Sequence, residues 1–162
     1  MTAAGIRAWR RLPPLLAALG LSAAGAIGAA DDRAAQVVGN WLTEDGDGII
    51  QISAVPDGSY QGKIVGGDNP TQLNDKDPDP ARRSLTVLGL TIMQGLKYER
   101  DGKFSGGTIY DPDSGKTYKC NLELLDKDKL KMHGYIGVSL LGRSQTWTRY
   151  RGTSMTLPPK SH

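Results

Sequence analysis

From residue 37 onward, apolar and polar side chains alternate with a period of two over most of the chain. The clearest run is "TYKCNLELL", where Tyr118, Cys120, Leu122 and Leu124 alternate with Thr117, Lys119, Asn121 and Glu123. Successive side chains of a strand point to opposite faces, so this period predicts a strand with one face buried and one in water. "LKMHGYIGV" repeats the pattern, with Leu130, Met132, Gly134, Ile136 and Val138 on one face and Lys131 and His133 on the other. "GIIQISAV" places Ile50, Ile52 and Ala54 together, and "YQGKIV" does so for Tyr60, Gly62 and Ile64.

Turn chemistry punctuates these runs at short intervals: "EDGDG", "PDGS", "RDG", "DPDSG" and "DKDK". Asp-Gly pairs supply a glycine for positive φ and a carboxylate that bonds the nearby backbone, and short connections make neighbours antiparallel. The expected strands are 37–43, 48–55, 59–65, 91–99, 103–110, 116–124, 130–138 and 144–151. Eight such strands predict an all-β fold, an antiparallel up-and-down barrel or a sandwich. "LTVLGLTIMQGL" fits a helix or a strand, and its second half is read as a strand. Residues 66–84, rich in Pro and Asp, are longer than an ordinary connection and read as an ordered loop, a candidate lid. One domain is expected over 31–151, with a frayed, flexible tail over 152–162.

The first thirty residues stand apart. Arg7, Arg10 and Arg11 precede the apolar run "LLAALGLSAAGAIGAA", which ends in small residues. That is the three-part pattern of a secretory signal peptide over 1–30, so a periplasmic or secreted protein is expected, without a membrane span after cleavage. Removing it changes the charge. Three of the 20 basic residues and none of the 17 acidic ones lie in it, which leaves 17 against 17. A neutral chain has no basic stripe for nucleic acid. About 132 residues suffice for a core without staples. Cys120 is the single Cys, so an internal disulfide is excluded, and its place on an apolar face predicts a buried, inert thiol.

Candidate chemistry is sparse. For the acidic cluster Glu44, Asp45 and Asp47, an EF-hand register with Gly48 at position 6 puts Thr43 at 1 and Ala54 at 12. Two ligand positions fail, so the segment is read as a hairpin turn. Asp75, Asp77 and Asp79, interleaved with Pro78 and Pro80, read as a solvated loop rather than a cation site. With one Cys and His133 as the one histidine outside the tail, neither a zinc site nor a thiol- or His-dependent active site is indicated. No catalytic residue, metal or cofactor is expected, and the chain is read as a non-enzyme.

What remains is Gly39-x-Trp41 at the opening and "QTWTRYR" at the close. In a closed meander the first and last strands are neighbours, so Arg149 can lie on the Trp41 indole as a cation–π pair. Gly-x-Trp on the first strand with Arg on the last resembles the lipocalin and calycin barrels, which implies an eight-stranded up-and-down barrel that binds small apolar ligands. A longer resemblance runs through "GNWLTEDGDGIIQI", "YQGKIV", "DPDPARRS", "GGTIYDPDSGKTYKCNLEL" and "LKMHGYIGVSLLGRSQTWTR". Together these segments are similar to the bacterial exported family known as domain of unknown function 2147, which implies no activity. Its motif positions fall on glycines and turn residues (Gly39, Gly62, Gly107, Pro112, Gly115, Gly134, Gly137) and on Trp41, Lys63, Tyr110, Asp111, Tyr118, Trp147 and Arg149.

Two readings follow. The first is an envelope protein that holds a small apolar or amphipathic ligand in the lumen, with Gly62 and Gly134 leaving room inside. Trp41, Arg149, Lys63, Tyr110, Asp111, Tyr118 and Trp147 are its candidate ligand-binding or clamp residues. The second is an interaction module with a packed interior, for which Lys63, Tyr110 and Trp147 should form an exposed cluster. Oligomeric state is not legible.

Overall fold

The computed structural model describes residues 32–138 and 142–159. Eight strands form a closed antiparallel barrel in chain order: β1 (Gly39–Leu42), β2 (Gly48–Ala54), β3 (Ser59–Gly67), β4 (Thr91–Tyr98), β5 (Lys103–Asp111), β6 (Lys116–Asp126), β7 (Lys129–Tyr135) and β8 (Gly142–Arg149). Barrel, not sandwich, is therefore the outcome. Closure is made by β1 against β8, through the pairs Trp41 with Arg149 and Leu42 with Thr148. Described helix is confined to residues 32–36 and a 3-10 turn, Pro80–Arg82, capped by the Asp79 carboxylate. The expected signal segment lies outside the described residues.

Alternation runs through β6, β7 and β8 and is interrupted on β4, between Met93 and Leu96, and on β5, between Phe104 and Gly107; the inward positions stack in rows across the wall. One row is Leu124, Leu130 and Trp147; the next is Phe104, Leu122, Met132 and Gln145; a third is Gly107, Cys120, Gly134 and Arg143. Trp41, Leu130 and Cys120 are fully buried, and Phe104 nearly so. Tyr60 and Tyr98 close on the Phe104 ring with centroids 5.0 and 5.1 Å away. His133 faces outward as expected, beside Ser144 and stacked on Tyr135.

Residues 43–47 are a hairpin turn: the Thr43 hydroxyl donates to the Asp47 carboxylate (2.6 Å) and accepts from the Asp47 and Gly48 amides. Three expectations change. The strand predicted to reach Val138 ends at Tyr135, because Gly137 turns the backbone to a φ of 72°; Ile136 and Val138 are left 64 and 61 % exposed. Residues 155–157 of the tail are docked where fraying was expected. Gly67 of β3 donates to the Met155 carbonyl and accepts from Leu157, both at 2.9 Å, and Met155 lies over Gly66 beside Ile49, which is fully buried. Asp77 is 3 % exposed rather than solvated.

Asp77 is buried because it organises the long loop. Its carboxylate accepts from the Asn74 side chain (2.6 Å) and the Asp79 amide (2.9 Å), and pairs with Arg82 at 3.5 Å. Asn74, fully buried, accepts in turn from the Tyr110 hydroxyl at 2.6 Å. Gln72 and Lys76 bond Asp113 of the β5–β6 turn, each at 2.8 Å. A buried carboxylate is tolerable only when hydrogen-bonded and paired, and this network supplies both. The loop is latched to β5 and to the β5–β6 turn.

Candidate functional site

The strand rows determine where the interior is full. Toward the end that carries the β4–β5 and β6–β7 turns, Trp147, Phe104, Leu122, Leu124 and Leu130 leave the core closed. At the same end Arg149 seals β8 against the N-terminal segment. Its guanidinium carbon lies 3.9 Å from the Trp41 ring centroid, and it donates to the carbonyls of Val38 (2.9 Å), Lys127 (3.1 Å) and Gln36. Trp41 donates to the Val37 carbonyl at 2.8 Å. Burial lowers the Arg149 pKa, the Arg151 charge adds to this, and Asp128 opposes it. Gly39, at a φ of 130°, is what lets the side chain pass: a Cβ there would lie 2.7 Å from Arg149 Nη1. Trp41 and Arg149 form a clamp and are committed to backbone and ring contacts.

The opposite end differs. A cavity of about 860 Å³ opens among β5–β8, lined by Ile109, Tyr118, Met132, Gly134, Arg143 and Gln145, with Asp111, Asp113, Tyr135, Ile136 and Gly142 at its rim. Gly134 makes the space: an added Cβ would have no neighbour nearer than 3.8 Å. Gly62, expected to leave room as well, does not. A Cβ there would lie 2.9 Å from Met93 Sδ and 3.2 Å from Ile50 Cγ2, so Met93 already fills the place. Over β2–β4 the long loop approaches the strand ends, and a smaller cavity of about 250 Å³ is left among Ile50, Ile64, Val87 and Ile92.

The candidate residues are thus distributed rather than gathered. Tyr118 lines the large cavity. Asp111 stands at its rim, with its carboxylate accepting from Asp113 N (3.0 Å) and Ser114 Oγ (2.6 Å), a turn-forming role. Tyr110 latches the loop; burial raises its pKa, with Asp77 adding to the rise. Trp147 is 2 % exposed and donates to Gln145 Oε1 at 2.8 Å, while Lys63 is exposed on the outer face. The exposed cluster of Lys63, Tyr110 and Trp147 is not formed, because Trp147 points into the core. Cys120 is buried, and desolvation pushes its pKa up to about 12. Among the described residues no group of three His, Cys, Asp or Glu could hold a metal ion.

Residues 39–149 match the profile of a family described as uncharacterized proteins conserved in bacteria (DUF2147). The chain belongs to that family. This DUF2147 protein is also similar in fold to a solved Helicobacter pylori structure, protein HP1028, described as belonging to the lipocalin family. The TM-score is 0.65 at 17 % identity, covering 70 % of this chain and 82 % of that one. The fold is thus a lipocalin-like barrel. No curated protein matches the sequence.

Arg143 and Gln145 are the cavity residues that sequence reasoning passed over. The signal was present: Arg143, Gln145, Trp147 and Arg149 share one parity on β8, so two polar side chains occupy inward positions near its start.

Proposed function

We propose that this DUF2147 protein is an exported, non-catalytic carrier that holds a small apolar or amphipathic ligand in the cavity between β5 and β8. The observation that carries the reading is an interior filled at one end and open at the other. An eight-stranded barrel is just wide enough to be packed by side chains or to hold one small ligand. Here Gly134 leaves the space that Met93 takes at Gly62. A cavity of about 860 Å³ with an apolar wall and a few polar groups matches the usual form of small-molecule sites. The lipocalin-like fold supports the same reading. The signal-like segment at residues 1–30 supports action in the bacterial envelope or outside the cell.

Native mass spectrometry of protein purified from its own host tests this. A bound mass released by organic extraction is expected, and Gly134→Leu, whose side chain enters the cavity, should abolish it while preserving the β-type circular-dichroism spectrum. A clean apo mass, together with no binding of any amphiphile offered, would refute the carrier.

A further inference from the structure

The row above the closed core is Gly107, Cys120, Gly134 and Arg143, three small side chains followed by a long cation. Arg143 lies on the inward parity of β8 and lines the cavity near its mouth. Among the described residues its guanidinium forms neither an ion pair nor a hydrogen bond. The Tyr118 hydroxyl, on the same cavity wall, is likewise without a hydrogen-bond partner there. Gln145 spends its carbonyl oxygen on Trp147 Nε1 and keeps its amide donors. The nearby acids differ. Asp111 accepts from Asp113 N and Ser114 Oγ, and Asp113 accepts from Gln72 Nε2, so both carboxylates are engaged in holding the turn and the loop. The unpartnered donors facing the cavity are thus the Arg143 guanidinium, the Tyr118 hydroxyl and the Gln145 amide, above an apolar floor of Ile109 and Met132.

We propose that the ligand is a single-chain amphiphile with an anionic head, gripped at the mouth by Arg143 with help from Tyr118 and Gln145, its chain lying toward Met132. This rests on the carrier reading and names its ligand class and its specificity-determining residue. A guanidinium presents parallel donors that match a carboxylate, and a charge-assisted bond of this kind is worth about 10- to 100-fold in affinity.

Calorimetric titration of the full-length protein with decanoate, 1-decanol, decyltrimethylammonium and acetate tests the proposal. Decanoate should bind at least about tenfold tighter than decanol, the ammonium should bind weakest of the three chains, and acetate should neither bind nor displace decanoate. Arg143→Gln should erase the decanoate preference and leave decanol binding unchanged, while Arg143→Lys keeps part of it. Equal binding of decanoate and decanol by the wild type, or tightest binding of the ammonium, would overturn the anionic-head assignment and leave the carrier standing. So would an equal loss of both ligands in Arg143→Gln. Displacement of decanoate by acetate would make the site one for a free anion, also against the proposal. Failure of every chain to bind removes the carrier and the assignment together.

Discussion

The two ends of the barrel interior are built by the same eight strands, with the same alternation, and reach opposite outcomes. At the closed end each inward position meets a large side chain from the neighbouring strand: Leu124 stands opposite Leu130, Leu130 opposite Trp147, Phe104 opposite Leu122. At the open end Cys120 stands opposite Gly134 and Gly134 opposite Arg143, and a space remains. The difference between core and cavity is therefore decided by the occupant of the next strand and not by the glycine itself. Gly62 and Gly134 make the point: both are inward glycines on apolar faces, yet Met93 crowds the first to 2.9 Å, while Ile109 and Met132 come no nearer than 3.8 Å to a Cβ at the second. A protein built this way places its stability at one end and its vacancy at the other.

That division is most easily broken at Trp147. It is 2 % exposed, and its indole nitrogen is satisfied by Gln145. Trp147→Ala should cost about 3–5 kcal/mol in urea unfolding, the usual range for a large aromatic removed from a packed core. A loss below about 1 kcal/mol would mean that the end described as closed tolerates a void. Replacement of Arg143 should shift the same unfolding curve by less than about 0.5 kcal/mol, as expected for an exposed side chain at the cavity mouth, outside the packed core.

A finer cut uses the two glycines. Gly62→Ala sets a methyl group 2.9 Å from Met93 Sδ, 3.1 Å from Met93 Cβ and 3.2 Å from Ile50 Cγ2. Relieving that crowding should cost about 1–3 kcal/mol, in the manner of overpacked cores. Gly134→Ala meets only ordinary contacts at 3.8–4.0 Å and loses a source of unfolded-chain freedom. It should be neutral or stabilise by up to about 1 kcal/mol. The pair is read from thermal or urea midpoints; equal effects would erase the distinction between the two ends.

How far the sequence could carry this comparison depended on the range of the interaction. Strand positions were legible because alternation and Asp-Gly turns are local, and closure of β1 on β8 followed from Trp41 and Arg149 once neighbours were taken to pair in order. The occupancy of Gly62 was not, because Met93 lies 31 residues along the chain and β3–β4 carries register shifts beside it. Asp77 looked solvated for the same reason: its burial depends on Asn74, which is held by Tyr110, 36 residues further on. Ile49 has outward parity and is buried only because the tail returns over Gly66. The open end was hidden twice over, since a vacancy has no sequence signature and Arg143 resembles any surface cation until its strand parity is traced.

The pH dependence probes the boundary between the two ends. Cys120 shares its row with Gly134 and Arg143, which line the cavity, and is itself fully buried. Desolvation holds its pKa near 12 against an ordinary 9.0. In the unfolded chain the thiol ionises as pH rises through about 9, while in the fold it stays protonated until about 12. Between those values the folded state binds more protons than the unfolded one, so stability falls with rising pH, by about 1.4 kcal/mol per unit once well above 9. At pH 9.5 the loss should be on the order of 1 kcal/mol, and Cys120→Ala should remove that part of the slope. Thiolate, not thiol, reacts with alkylating agents, so native protein at pH 8 should label with iodoacetamide only at the rate of its unfolding. Rapid labelling of folded protein would show that the cavity reaches the Cys120 thiol, and its wall would then have to include that side chain.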